Sequence, residues 1–266
     1  MQKIDLNKLL PEVINVAKKA GAFIRKERHS FCYESAENKG PNDLVSYVDK
    51  SAELLIVEGL SQFFPDAGFI VEENTKSERK DFNWIVDPLD GTTNFIHGIP
   101  SYAVSIGLEF NNDIILGVVY EVSRDECFYA IKGGGAFLNG GKIEVSLRKN
   151  LSESLIATGF PIYNFDRITS YLGAFEHFMR TTHGLRRIGA AAVELCYLAC
   201  GRVDAFFEYN LQAWDVAAGG LIVKEAGGTI CDFSGGTNWI FGRETSATNK
   251  ALEAEFNKII KEKFQP

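Results

Sequence analysis

Apolar positions recur at helical spacing from Leu6 to Arg25, through Leu9, Leu10, Val13, Ile14, Ala17 and Ile24, with charged residues between them. That period predicts an amphipathic helix. A second helix is predicted from Asp49 to Phe64, stopped by Pro65-Asp66 because proline cannot continue it. The turn-rich stretch Asn38 to Asp43 between them reads as an exposed loop. Two short apolar strands follow, Gly68 to Val71 and Asn83 to Val86, and both run into acidic residues. From Tyr102 to Tyr129 the pattern predicts several strands, with turns at Asn111-Asn112-Asp113 and Ser123-Arg124-Asp125. The second half alternates. Leu155 to Thr158, Leu185 to Ile188, Ala205 to Phe207 and Thr229 to Cys231 are strand-like, whereas 166–180, 190–200 and 214–226 are helix-like. A last helix is expected from Asn249 to Lys263. No repeat, low-complexity segment or linker divides the chain, so one α/β layered sandwich with mixed sheets is expected over residues 1–266.

Composition narrows the functional classes. The 266 residues are 45% hydrophobic and 24% charged, the balance of an ordinary globular protein. No stretch of eighteen uncharged apolar residues offers a membrane span, and the mixed charges of the N-terminal helix do not fit a signal peptide. Five scattered cysteines read as reduced thiols of a cytoplasmic protein, with Cys196 and Cys200 as small core residues. A net charge of −7 leaves no basic stripe for nucleic acid. It also means that a protein of this balance handling phosphate needs positive charge from outside its side chains.

The most informative stretch is Trp84-Ile85-Val86-Asp87-Pro88-Leu89-Asp90-Gly91-Thr92-Thr93-Asn94. Asp87 ends a buried strand, Pro88 fixes a turn, and Asp90 follows, so two carboxylates emerge together. Gly91 and Thr92 open a short helical turn whose free N–H groups suit an anion. Alone, the two carboxylates would repel a phosphate. With magnesium between them the arrangement becomes attractive, because hard cations prefer carboxylate and phosphate oxygens. Asp-Pro or Asp-Gly taken singly is an ordinary turn pair. The full run Asp-Pro-Leu-Asp-Gly-Thr-Thr-Asn resembles the signature of the inositol monophosphatase family, within the magnesium-dependent, lithium-sensitive phosphatases.

The resemblance extends along the chain. Asp43-Leu44-Val45-Ser46-Tyr47-Val48-Asp49 is similar to the family's early acidic segment, Glu72-Glu73 to its glutamate ligand, Asn94 to Pro100 to the continuation of the signature, and Gly133 to Gly140 to a family hairpin. Trp214-Asp215-Val216-Ala217-Ala218-Gly219 resembles the second signature, its small residues permitting close packing. Arg187 to Ala192 and Glu208 match stretches that hold the alcohol substrate. The resemblance implies a layered αβαβα sandwich and a homodimer. It implies two or three Mg2+ ions: one held by Glu72, Asp87 and the Leu89 carbonyl, a second by Asp87, Asp90 and Asp215, and a third near Glu72. It further implies that Thr92, paired with Asp49, orients the attacking water, with Glu72 also catalytic. The phosphate and substrate hydroxyls would be held by Asp90, Gly91, Thr92, Ala191, Glu208 and Asp215. The substrate so implied is a small phosphorylated polyol or sugar, foremost an inositol monophosphate.

Other chemistries lack their residues. No Gly-x-Ser-x-Gly elbow is present and no cysteine lies in an activating motif. The four histidines show no His-x-x-x-His spacing for zinc, and Gly133-Gly134-Gly135 is not a phosphate-binding P-loop. Two alternatives stand. One is the same chemistry on fructose 1,6-bisphosphate, histidinol phosphate or adenosine 3′,5′-bisphosphate. The other is a non-catalytic regulatory protein, which should show eroded ligands, yet every expected carboxylate is present.

Overall fold

The computed structural model describes residues 4–40, 43–162 and 164–264. The chain opens with helix α1 (Leu6–Ser30), a hairpin of β1 (Ala36–Gly40) and β2 (Asp43–Ser46), helix α2 (Tyr47–Phe63), strands β3 (Gly68–Val71) and β4 (Phe82–Asp90), and the short helix α3 (Thr92–His97). A meander follows: β5 (Ala103–Phe110), β6 (Asp113–Glu121), β7 (Glu126–Ile131), β8 (Ala136–Leu138) and β9 (Gly141–Ile143). The remainder alternates through β10 (Leu155–Thr158), α4 (Ile168–Thr181), β11 (Gly184–Arg186), α5 (Ala191–Ala199), β12 (Ala205–Tyr209), α6 (Ala213–Glu225), β13 (Gly228–Cys231), β14 (Glu244–Asn249) and α7 (Glu253–Phe264).

β3 to β9 form one seven-stranded sheet in sequence order, and a five-stranded sheet runs β11-β10-β12-β14-β13. Three hydrophobic clusters separate five layers. Val13, Ile24, Ile56 and Leu60 of α1 and α2 pack against Trp84, Val86 and Ile106 on one face of the large sheet. Ile85 and Val119 on its other face meet α5 and α6, which also cover Phe206 and Ala247 of the small sheet. Phe178 of α4 and Phe256 of α7 close the outside on Phe207. This is the expected αβαβα sandwich. It also explains why the strands read as unbroken apolar runs: with both faces covered, no solvent-facing alternation remains. α6 approaches the sheet closely through Ala217 and Ala218. The paired Gly107 and Gly117 make room for them, since a β-carbon on Gly117 would lie 2.8 Å from the Ala218 carbonyl oxygen.

Several boundaries differ from the sequence reading. Asn38 to Gly40 and Asp43 belong to an antiparallel hairpin rather than a loop, while Pro41 and Asn42 lie outside the described residues. The second helix starts at Tyr47, because Ser46 caps it and Asp49 reaches back to the Ser46 N–H, a capping box. Strand β14 was not visible in the pattern: Thr245, Ser246, Thr248 and Asn249 are polar yet buried, between β12 and β13. The last helix therefore begins at Glu253 instead of Asn249, whose side chain accepts from the Leu252 N–H at 3.0 Å to close the intervening turn. The largest difference concerns Pro88. The strand does not stop at Val86 but runs to Asp90, with Asp87 opposite Ser105 and Asp90 opposite Ala103. Three steps on β4 thus match two on β5, which is a one-residue β-bulge, a place where a strand tolerates proline.

Candidate active site

The bulge decides where the two aspartates point. Side chains alternate along a strand, so residues three apart should face opposite ways. One extra residue restores the parity, and Asp87 and Asp90 line the same cavity, about 150 Å³ in volume. Leu89 between them turns its side chain into the outer cluster under α1 and α2. The parallel pairing of β3 with β4 ends at Val71 beside Val86; one residue on, Glu72 arrives next to Asp87, its N–H bonded to the Val86 carbonyl at 3.3 Å. From the other side comes Asp215, in the first turn of α6. Its carboxylate accepts from the Gln212 N–H at 2.7 Å. The neighbouring Trp214 carbonyl accepts from the hydroxyl of Ser105 at 3.1 Å, the residue paired with Asp87 in the sheet. Four carboxylates from one sheet strand, the loop after β3 and a helix thereby meet.

Thr92 opens α3 after Gly91, whose φ of +88° lies in the left-handed region that glycine adopts without strain. The Thr92 hydroxyl lies 2.7 Å from Asp49 Oδ1 and 2.9 Å from the Leu89 carbonyl oxygen. The expected pairing of Thr92 with Asp49 is therefore present. Asp49 is buried and its other oxygen accepts from the Ser46 N–H and hydroxyl at 2.9 and 2.7 Å. Gly91, Ala191 and Glu208 also line the cavity. The Ala191 N–H is donated to Asp90 at 3.1 Å, and the Ala192 N–H to its second oxygen at 2.8 Å. Asp90 thus sits on the first amides of α5, a favourable place for a carboxylate.

Electrostatically the site is loaded with negative charge. Burial pushes the Asp87 carboxyl well above its ordinary range, and the charges of Glu72, Asp90 and Asp215 add to the rise. Burial carries Asp90 up to about 7 against the pull of the Ala192 and Ala191 amides. It also carries Asp215 up to about 7, with the Gln212 amide opposing. Burial raises Asp49 as well, its bonds from Ser46 and Thr92 resisting. Arg187 is the one cationic side chain that lines the cavity among the described residues, and no cysteine or histidine does.

The whole-chain comparisons agree with this architecture. The family model for the inositol monophosphatase family matches residues 5–265. The chain belongs to that family. It is 39% identical to the inositol-1-monophosphatase of Mesorhizobium japonicum, over 95% of this chain and 96% of the relative. It is equally 39% identical to the Nus factor SuhB of Escherichia coli K12, over 92% of each. The crystal structure of extragenic suppressor protein suhB from Bartonella henselae superposes with a TM-score of 0.90 at 40% identity, covering 96% of this chain and 98% of that one.

For an inositol monophosphatase relative, the donor set fits a hard divalent cation. It is all oxygen, four carboxylates and the Leu89 carbonyl, with no sulfur or imidazole, as magnesium prefers. The charges of Glu72, Asp90 and Asp215 all act on Asp87, so a cation placed among them is attracted by all four. Among the described residues, no group of three such side chains is already closed to metal-ligand geometry. No helix among them is long and apolar enough to cross a membrane.

Two further carboxylates support the site and were not singled out from sequence. Glu53, fully buried, accepts from the Glu73 N–H at 2.7 Å and from the Thr75 N–H and hydroxyl at 2.9 and 2.7 Å, holding the loop that carries Glu72. Glu194, 1% exposed, accepts from the Ile188 and Gly189 N–H groups at 2.5 and 3.1 Å. Asn94 donates to the carbonyls of the same two residues and of Ser101, so the turn between Arg187 and Ala191 is gripped from both sides. The available signal was a carboxylate on an apolar helix face: Glu53 among Ala52, Ile56 and Val57, and Glu194 within Ala191-Ala192-Val193-Glu194-Leu195.

Proposed function

We propose that this chain is a cytoplasmic, magnesium-dependent phosphomonoesterase whose preferred substrate is an inositol monophosphate or a similar small phosphorylated polyol. The observation that carries the reading is the convergence of Glu72, Asp87, Asp90 and Asp215 on one cavity beside the hydrogen-bonded pair Thr92–Asp49. Glu72, Asp87, the Leu89 carbonyl, Asp90 and Asp215 would hold two or three ions. Bound there, the cations supply positive charge to the phosphoryl oxygens and lower the pKa of water.

The chain's own residues do the rest. Thr92 orients a water in line with the phosphorus, and its hydroxyl passes a proton to Asp49, whose geometry Ser46 fixes. The water oxygen bonds to phosphorus while the bond to the alcohol oxygen breaks, and the alkoxide takes its proton from solvent water in the open cavity, the proton held on Asp49 returning to solvent. The N–H groups of Gly91 and Thr92 contact the phosphate. Glu208 and Ala191 face the substrate hydroxyls: a carboxylate accepts from a polyol and repels a second phosphate. That argues against bisphosphate substrates. With no histidine or cysteine in the cavity, no covalent intermediate is invoked.

The test is phosphate release across a panel of polyol, sugar and nucleotide phosphates, before and after exhaustive chelation. Preferred turnover of inositol monophosphate, lost on chelation and restored by magnesium, is the expected result. Full activity without metal refutes the reading. Lithium should inhibit in the same assay. The chain should also sediment as a homodimer, and a lone 29.5 kDa species would contradict that.

A second reading is carried by the relatives named Nus factor SuhB: the chain acts as a Nus factor. Its charge of −7 disfavours direct nucleic-acid contact, leaving protein contacts as the route. The two readings separate in an Escherichia coli strain lacking its Nus factor SuhB. Complementation by the Asp90→Asn variant as fully as by the wild type supports the second reading, and loss of complementation ties the phenotype to the phosphatase site.

A further inference from the structure

The parallel pairing of β10 with β12 sets Ile156 beside Ala205, Ala157 beside Phe206 and Thr158 beside Phe207. The Thr158 hydroxyl secures the end of that ladder by donating to the Phe207 carbonyl at 2.7 Å. One step further the same register brings Gly159 alongside Glu208, and both line the cavity. The fit is closer than contact. A β-carbon on Gly159 would lie 2.0 Å from the carboxyl carbon of Glu208 and 2.0 and 2.1 Å from its two oxygens. Gly159 is absent from the residues of positive φ, so the backbone there accepts any L-residue. What excludes a side chain is the space taken by the Glu208 carboxylate.

That carboxylate is also unencumbered. Burial acts on it first, then the like charges of Glu194, Asp215 and Asp90 against the opposing Arg187, and among the described residues none donates a hydrogen bond to it. Its acceptor capacity remains for a ligand in the cavity. We infer that Gly159 is a specificity-determining residue: by presenting no β-carbon it seats the Glu208 carboxylate against the cavity wall, where it receives the hydroxyl donors of a polyol. The inference rests on the phosphatase reading above. A methyl group at position 159 pushes the carboxylate out by about 1.5 Å to restore van der Waals separation, and a misplacement of that size is enough to break a hydrogen bond of normal length. The metal-site carboxylates lie on other elements and keep their places.

The experiment compares wild type, Gly159→Ala, Glu208→Gln and the double variant on inositol monophosphate and on p-nitrophenyl phosphate, which lacks the hydroxyls. The quantity read is the ratio of kcat/KM for the two esters. Gly159→Ala should lower that ratio about tenfold, with its melting temperature no lower than wild type. The double variant should fall no further than the worse of the two singles, because both changes act on one carboxylate. A wild-type ratio in Gly159→Ala, or losses that multiply in the double variant, overturn the inference while leaving the phosphatase reading in place. So does a crystal structure of Gly159→Ala with the carboxylate unmoved. Failure of the wild type to hydrolyse either ester removes the phosphatase reading, and the inference with it.

Discussion

Replacing Asp90 by asparagine should abolish turnover and, in the metal-free protein, raise stability in a pH-dependent way. Burial carries the folded carboxyl from its ordinary 3.8 up to about 7, on the order of 4 kcal/mol against holding it ionised. Asparagine removes that charge. It also offers a single carbonyl oxygen, so one of the Ala191 and Ala192 amides now facing Asp90 loses its acceptor, at about 1–3 kcal/mol. The net gain at pH 8 is about 1–3 kcal/mol, or a melting temperature higher by on the order of 5 °C in a chain of this size. The sign with pH follows from linkage. An acid whose folded pKa is raised contributes stability that is fully present below its unfolded pKa and is lost as pH climbs to the folded value. Metal-free wild type should therefore weaken as pH rises from 4 towards 7, while the variant lacks this term. The variant's advantage should fall by about 3 kcal/mol between pH 8 and pH 5, so that at pH 5 it is no more stable than wild type. Calorimetry of chelator-treated protein at pH 5, 6, 7 and 8 measures it. A gap independent of pH, or a variant that melts below wild type at pH 8, refutes the reasoning, as does retained turnover.

Other expectations follow from the supporting bonds. Thr92→Val strips Asp49 of its 2.7 Å partner and should slow turnover by about 10²–10⁴-fold with little change in melting; wild-type rates would remove the pair from proton handling. Glu53→Ala leaves the Glu73 and Thr75 amides without acceptors and should raise the magnesium concentration for half-maximal activity by about 10–100-fold, with partial recovery in Glu53→Gln. An unchanged metal requirement would make Glu53 purely structural. Glu194→Ala frees the turn at Ile188 and Gly189 and should raise the KM for inositol monophosphate about tenfold, since each lost hydrogen bond is worth about 0.5–1.5 kcal/mol. Glu194→Gln, which keeps an acceptor oxygen, should restore most of it, and equal defects in both variants would contradict the clamp.

What the sequence could reveal depended on whether the signal was local. Most strands were legible because burial on both faces leaves unbroken apolar runs, and α1 and α2 because one face stays wet, whereas the layer order came from the family resemblance. Asp87, Asp90 and Asp215 were legible as motif residues, and the Thr92–Asp49 pair as a resemblance. β14 was not, because its buried threonine, serine and asparagine side chains are satisfied by other segments, Thr248 by Thr229, Ser246 by Asn257 and Asn249 by Ser146. Glu53 and Glu194 stayed hidden because their partners are backbone amides, which every sequence contains. Gly159 is significant only beside Glu208, 49 positions further along.

The extra residue in β4 makes the metal-site geometry depend on a count as well as on identities. Any change of side chain at Leu89 that keeps its volume leaves Asp87 and Asp90 on the same side of the sheet, because parity is untouched. Regular pairing of the same residues, with the bulge lost but none of the chain removed, is different in kind. Both aspartates would survive, each with recognisable neighbours, but the strand would pair with β5 without its bulge and turn Asp90 into the apolar layer beneath α1 and α2. Deletion of Pro88, by contrast, shortens the spacing to two and keeps both aspartates on one side, so the bulge and the extra residue must be gained or lost together.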